Sequence, residues 1–154
     1  MSIFRTSPGS GELLPPEYDR RVPTLRIVAA VIRNPQGHWL LVRKRGTTAF
    51  MQPGGKLEPG ESPDQALVRE LKEELDLAVG PADLTHVGRF TARAANEAGF
   101  MIDADVYTAP SITDAVPLAE LEEARWVDLL ASGALELAPL LTDHLLPLLR
   151  DGRL

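Results

Sequence analysis

Ser62-Pro63-Asp64-Gln65 marks the start of a helix, and the residues after it determine what kind of helix follows. Serine is a favoured N-cap, proline at the first helical position gives up an N–H that lacks a partner there, and Gln65 completes an S-x-x-Q capping box. Ala66, Leu67, Leu71 and Leu75 then recur with a period near four, so one face must pack inward. Glu70, Glu73 and Glu74 lie beside that stripe at i, i+3 and i+4, which stacks three carboxylates on one face. Like charges at this spacing repel by about 0.2 to 0.5 kcal/mol per pair, so an opposing charge is called for. A hard divalent cation that takes oxygen ligands and travels with phosphates meets that need.

The rest of the chain supplies strands for this helix to pack on. Residues 24–33 (TLRIVAAVIR) and 38–44 (HWLLVRK) are rich in β-branched and aliphatic side chains, and Asn34-Pro35-Gln36-Gly37 between them reads as a turn. An apolar piece at 49–52 runs into Pro53-Gly54-Gly55, where a sharp backbone turn is expected. Residues 84–94 and 99–109 read as two further strands. On the second, Phe100, Ile102, Ala104 and Val106 form the face expected to be more buried, and Met101, Asp103, Asp105 and Tyr107 the other. An ordinary turn or edge-strand role is expected for Asp103 and Asp105. A short strand at Arg125-Trp126-Val127 follows the acidic stretch 120–123, and 138–149 reads as a closing helix with Pro139 near its start and Pro147 able to kink it. Strands and helices interleave without a regular βαβ repeat, which predicts an α/β fold with a mixed sheet covered by helices on its faces. Residues 1–22, with three prolines and little periodicity, read as an arm, and 23–154 as one domain.

Composition narrows the chemistry. The 154 residues are 44% hydrophobic, enough for one domain with a real core, and they include no cysteine, which removes thiol nucleophiles and zinc thiolate sites. A net charge of −6 argues against a nucleic-acid surface. No apolar run approaches the roughly 18 residues a membrane span needs, and the N-terminus lacks a signal-peptide core, so a soluble cytoplasmic protein with no membrane partner is expected. His38, His86 and His144 show no metal-site pairing, no G-x-S-x-G element occurs, and Glu61 stands where a P-loop would need lysine. Local basic groups remain candidates for phosphate: Arg33, the run Arg43-Lys44-Arg45, and Lys56 beside the double glycine, with Arg43, Arg45 and Lys56 the leading three.

The string GGKLEPGESPDQALVRELKEELDL, residues 54–77, resembles the signature of the Nudix hydrolases, G-x5-E-x7-R-E-U-x-E-E-x-G-U with U aliphatic. Gly55, Glu61, Arg69, Glu70, Leu71, Glu73, Glu74 and Leu77 match in spacing and type. Asp76 departs, standing where the signature has its last glycine. The resemblance implies an α/β/α sandwich around a central mixed sheet, and hydrolysis of the diphosphate linkage of a nucleoside diphosphate derivative with Mg²⁺, for which Mn²⁺ can substitute. It implies Glu70 and Glu74 as metal ligands, Glu73 as a third ligand or the group that orients water, and the Gly54 carbonyl as a ligand from the loop. Gly55, Glu61 and Arg69 would organise the junction of loop and helix. The general base in this family comes from the box or from a separate loop; Glu73 and Glu120 are the candidates, with Glu97, Glu122 and Glu123 as competitors.

Substrate markers lie outside the signature. The proline of ADP-ribose-cleaving members and the tyrosine of dinucleoside polyphosphate members are missing from the expected window, because Pro81 is too close and the first later tyrosine is Tyr107. That leaves a MutT-like nucleoside triphosphate pyrophosphatase as the expected activity, and a non-catalytic nucleotide-binding or regulatory module of the same fold as its alternative. Phe50, Phe90 and Phe100 could stack a base, although a place in the core is the ordinary role of such residues. A homodimer is compatible with the arm and with exposed apolar positions.

Overall fold

In the computed structural model, residues 21–131 and 133–154 are described, together with the backbone of two short strands, β1 (Arg5–Thr6) and β2 (Leu13–Leu14), which pair antiparallel. The arm expected at 1–22 falls almost wholly outside the described residues. Then follow β3 (Thr24–Val31), β4 (Trp39–Lys44), β5 (Gly54–Lys56), α1 (Pro63–Leu75), a 3₁₀ turn at Pro81–Asp83, β6 (Thr85–Arg93), β7 (Met101–Thr108) and β8 (Leu121–Val127). A π-helical turn, Leu141–Leu145, leads into α2 (Leu146–Arg150).

Four strands form a mixed sheet in the order β5-β3-β7-β6, with β3 and β7 parallel and the outer pairs antiparallel, while β4 and β8 form a separate antiparallel pair. β3 is apolar along most of its length because both its faces are covered. Val28, Ala30 and Ile32 pack with Leu67, Leu71 and Leu75 of α1. Ala29 and Val31, one residue out of phase, pack with Leu141, Leu145 and Leu146 of the closing helix. β4 divides in the same way, Leu40 and Val42 toward α1, Trp39 and Leu41 toward the closing helix. The result is the expected α/β/α sandwich with a central mixed sheet.

Three local expectations change. The chain bends at Pro53, as expected of Pro53-Gly54-Gly55, but the two glycines go on to open β5, paired with Ala29 and Val28 of β3. A Cβ on Gly54 would stand 2.0 Å from the Val28 carbonyl oxygen, so glycine is required by close approach of two backbones. β8 begins at Leu121, four residues before the expected Arg125, because Glu123 lies opposite Arg43 in the ladder and their side chains pair at 3.5 Å. Asp103 and Asp105 lie on β7, which is interior to the sheet, and Asp105 is 6% exposed. Burial pushes the Asp105 carboxyl up, but hydrogen bonds from Arg26 and His86 outweigh it and hold the group below its ordinary value. The opposite face of β7 is as expected the more buried, with Ala104 and Val106 at 0%.

Pro147 has no N–H to give to residue 143, and the backbone widens just ahead of it: Leu146 N–H bonds to Leu141 O, five residues back. At the end of α1, Asp76 adopts the left-handed conformation (φ 53°, ψ 34°), while Leu77 N–H reaches Leu71 O and Asp76 N–H reaches Lys72 O. The Asp76 N–H bond to Lys72 O is the 5→1 bond of an αL closure, built here without its usual glycine, and Lys72 Nζ pairs with the aspartate. A non-glycine residue in this region costs roughly 1 kcal/mol. Asp76→Gly should therefore raise the melting temperature by about 2 °C, and an unchanged or lower value in a thermal melt would show that the Lys72 contact outweighs the strain.

Candidate active site

The exit from β5 and the body of α1 are joined by one side chain. Arg69 donates to both oxygens of Glu61, Nε to Oε2 and Nη2 to Oε1, each at 2.8 Å, to the Lys56 carbonyl at 3.0 Å and to Glu70 Oε1 at 2.9 Å. Its contact with Glu73 is longer, 3.5 Å. The guanidinium holds the Glu61 carboxyl down to about 2, helped by the Glu58 N–H, and is itself pushed up by Glu61 and Glu70. Gln65 Oε1 accepts the Ser62 N–H, as the capping box requires, whereas the Ser62 hydroxyl donates to Asp64.

Beyond this junction the carboxylates differ sharply in environment. Glu74 is 3% exposed, and its carboxylate accepts the Gly54 N–H at 3.1 Å. Burial, then the charge of Glu70, pushes its carboxyl up to about 8. Glu70 is also raised, by burial first, with Arg69 opposing. A Cβ on Gly55 would stand 2.4 Å from the Glu70 carboxyl carbon, so glycine leaves the room that this carboxylate fills. Glu73 is mostly exposed and turns toward Arg69.

Glu120 reaches the same place from far along the chain. Leu118 N–H donates to the Glu74 carbonyl at 2.8 Å, Ala119 bends the backbone at φ 54°, and the Arg45 N–H holds the Glu120 carbonyl at 2.9 Å. The Glu120 charge contributes to raising both Glu70 and Glu74, and Lys44 Nζ lies 3.4 Å from its carboxylate. Glu70, Lys44 and Glu120 line a cavity of about 300 Å³ whose apolar wall includes Leu25, Ile27 and Leu140.

Residues 23–149 match the sequence profile of the NUDIX domain. The chain belongs to the Nudix family. It is 39% identical over 64 residues to the 8-oxo-dGTP diphosphatase of Haemophilus influenzae, covering 39% of this chain and 47% of that protein. It is 47% identical over 51 residues to the RNA pyrophosphohydrolase of Proteus mirabilis, covering 33% of this chain and 29% of that protein. The chain thus spans less than half the length of these relatives. Among solved structures, the MutT protein from Methanosarcina mazei Go1 superposes with a TM-score of 0.70 at 25% identity, over 88% of this chain and 100% of that one.

In this Nudix domain the residues singled out in the sequence divide into two groups. Gly54, Gly55, Lys56, Glu70 and Glu120 line the cavity, as does Glu97, while Glu74 is buried behind the Gly54 N–H and Glu61 and Arg69 lie at the junction below. Arg43 and Arg45 do not line it: they pair across the β4–β8 ladder with Glu123 and Glu122, which removes those two carboxylates from the site as well. Of the run Arg43-Lys44-Arg45 the side chain that does line it is Lys44, and Lys56 and Arg93 are the other basic residues of the wall. Successive side chains of a strand point to opposite faces, so Lys44 is directed away from both Arg43 and Arg45. None of Phe50, Phe90 and Phe100 lines the cavity, and Phe50 and Phe90 pack in the core under the closing helix. Gln52, a buried polar residue of the cavity wall, was passed over in the sequence; its signal was an amide within an apolar run.

Proposed function

We propose that this chain hydrolyses the diphosphate linkage of a nucleoside diphosphate derivative, with a nucleoside triphosphate as the leading substrate, by water attack assisted by Mg²⁺, which Mn²⁺ can replace. The observation that carries the reading is the meeting of Glu70, Glu74 and Glu120 beside a cavity with an apolar wall, at a place where burial has pushed the Glu74 carboxyl up to about 8. The relatives named above, a diphosphatase and a pyrophosphohydrolase by name, support the same bond as the target.

The residues fit a hard divalent ion by donor chemistry. All are oxygen donors, and the Gly54 N–H and the charge of Lys44 do not outweigh the burial and the neighbouring Glu70 and Glu120 charges that raise the Glu74 carboxyl. Among the described residues, no three acidic or histidine side chains are yet gathered closely enough to hold a metal. Arg69 holds Glu70, and the Gly54 N–H holds Glu74. Glu70, Glu74 and the Gly54 carbonyl would hold the ion, with Glu73 joining from the exposed side. Such an ion neutralises charge on the nonbridging phosphate oxygens and favours ionisation of water. Glu120, pinned through its own carbonyl to the Arg45 N–H just beyond β4, accepts the proton of the attacking water as the new P–O bond forms and the anhydride P–O bond breaks. Lys44 and Lys56 supply positive charge for the phosphates.

The test is a release assay over nucleoside triphosphates, nucleotide sugars, ADP-ribose and dinucleoside polyphosphates, each with Mg²⁺ and with chelator, followed by product identification. Cation-dependent conversion of a triphosphate to monophosphate and pyrophosphate is expected. Absence of turnover on every compound would leave a binding module. Gly55→Ala offers a sharper check, because its Cβ meets the movable end of Glu70 while Gly54→Ala meets the backbone of β3. Gly55→Ala should melt within a few degrees of wild type yet turn over at least ~10-fold more slowly. Gly54→Ala should lose stability, by about 3 kcal/mol. Equal rates for Gly55→Ala and wild type would detach Glu70 from the chemistry.

A further inference from the structure

Between β4 and β5 the chain runs Ala49-Phe50-Met51-Gln52-Pro53, apolar but for one amide. Gln52 is 5% exposed, and neither its Oε1 nor its Nε2 has a hydrogen-bond partner among the described residues. The backbone on either side is fully engaged: Met51 and Val42 exchange both bonds, at 2.8 and 2.9 Å, and the Pro53 carbonyl accepts the Ala30 N–H at 2.9 Å. The residue therefore sits on a rigid strut with its amide uncommitted. Burying an amide unpaired lowers stability, and methionine or leucine would fill this volume without that loss. Gln52 also belongs to the wall of the cavity that contains Glu70, Lys44 and Glu120.

We infer that Gln52 determines which group the cavity accepts opposite the phosphates, and that this group is a heteroaromatic base. Its amide, closed off in the free protein, turns about its side-chain torsions into the cavity and pairs with the ligand. An amide presents a donor beside an acceptor, so a ligand satisfies it fully only by offering an acceptor beside a donor. The edges of purine and pyrimidine bases do this, and their flat faces suit a wall of Leu25, Ile27, Ile102 and Leu140. A phosphate offers acceptors alone, and a sugar hydroxyl brings no apolar face. The inference rests on the nucleotide reading above, and it names the part of the ligand that the carboxylates do not select.

Binding separates the two ideas because it needs neither turnover nor cation. The probes are the four nucleoside 5′-monophosphates and ribose 5-phosphate as a base-free control, titrated calorimetrically into wild type, Gln52→Met and Gln52→Leu. Wild type should bind at least one monophosphate about tenfold more tightly than ribose 5-phosphate. Both variants should bind ribose 5-phosphate as wild type does, lose that increment, and melt at or above the wild-type temperature. Variants that keep the wild-type increment and ranking of bases would overturn the assignment, as would a wild type without any increment. If Gln52 governs base binding in a protein that hydrolyses nothing, the hydrolase reading falls and this one stands; if hydrolysis proceeds with base preference unchanged in the variants, the reverse holds.

Discussion

Glu74→Gln should abolish cation-dependent turnover, lowering the rate ~100-fold or more, while leaving the protein folded and at neutral pH more stable than wild type. The amide keeps an oxygen for the Gly54 N–H, which Glu74 Oε1 now accepts at 3.1 Å, and removes a charge from a position that is 3% exposed. The sign follows from proton linkage. Burial, and then Glu70, raise the folded-state value from 4.5 to about 8, so the folded protein holds this proton more tightly than the unfolded chain. The resulting stability is fully present below about pH 4.5 and is lost as pH rises toward 8. Cation-free wild type should accordingly melt at progressively lower temperature from pH 5 to pH 8, and the variant should show a much weaker trend. Allowing for relaxation around a buried charge, the variant should gain about 1 to 3 kcal/mol at the upper end. Millimolar Mg²⁺ at pH 8 should raise the melting temperature of wild type and leave that of the variant alone. Melts at three pH values with and without the ion, beside initial rates, decide the matter. A variant with wild-type turnover ends the assignment of Glu74, and a wild-type melting temperature independent of pH ends the electrostatic account of it.

What could be read from the chain beforehand follows how local the information is. α1 was legible from cap to stripe because Ser62, Pro63 and the leucines that follow act within a few residues of one another. The signature placed Glu70 and Arg69 correctly relative to Gly55, since the helix and the strand before it form one rigid unit through Arg69. Elements decided by distant partners were less visible. β5 exists because two glycines let the chain approach Val28 and Ala29, and β8 begins early because Glu123 finds Arg43 eighty residues away. Lys44 and Gln52 stand out only once the assembled sandwich creates the cavity whose wall they share. Glu120 was legible as a candidate base only through the family resemblance. Its approach to Glu74 depends on the Leu118 N–H, a contact with no local trace in the sequence.

Arg69→Lys should behave almost as badly as Arg69→Met, although lysine preserves the charge. The guanidinium engages Glu61 through two parallel bonds at 2.8 Å while a second edge serves Glu70 at 2.9 Å and the Lys56 carbonyl accepts at 3.0 Å. A single ammonium on a flexible stem cannot span these directions at once, so the fork, more than the charge, ties β5 to α1. Hydrogen bonds to charged groups are worth about 1.5 to 3 kcal/mol when well shielded. Here the arginine side chain is 23% exposed, which favours the lower end, so a loss of about 2 kcal/mol is expected for methionine and somewhat less for lysine. The pH dependence supplies an independent readout. Glu61 is held at about 2 against an ordinary 4.5, so its contribution is present above pH 4.5 and disappears as pH falls toward 2. Wild type should thus lose stability through that acid window, and Arg69→Met should lose less there because it starts without the pair. Turnover should fall in both variants through displaced Glu70, with the maximal rate affected more than the apparent affinity. Arg69→Lys matching wild type in both melting temperature and rate would reduce Arg69 to a charge on the surface, and would leave the Gly54–Glu74 bond as the polar tie between the double-glycine strand and α1.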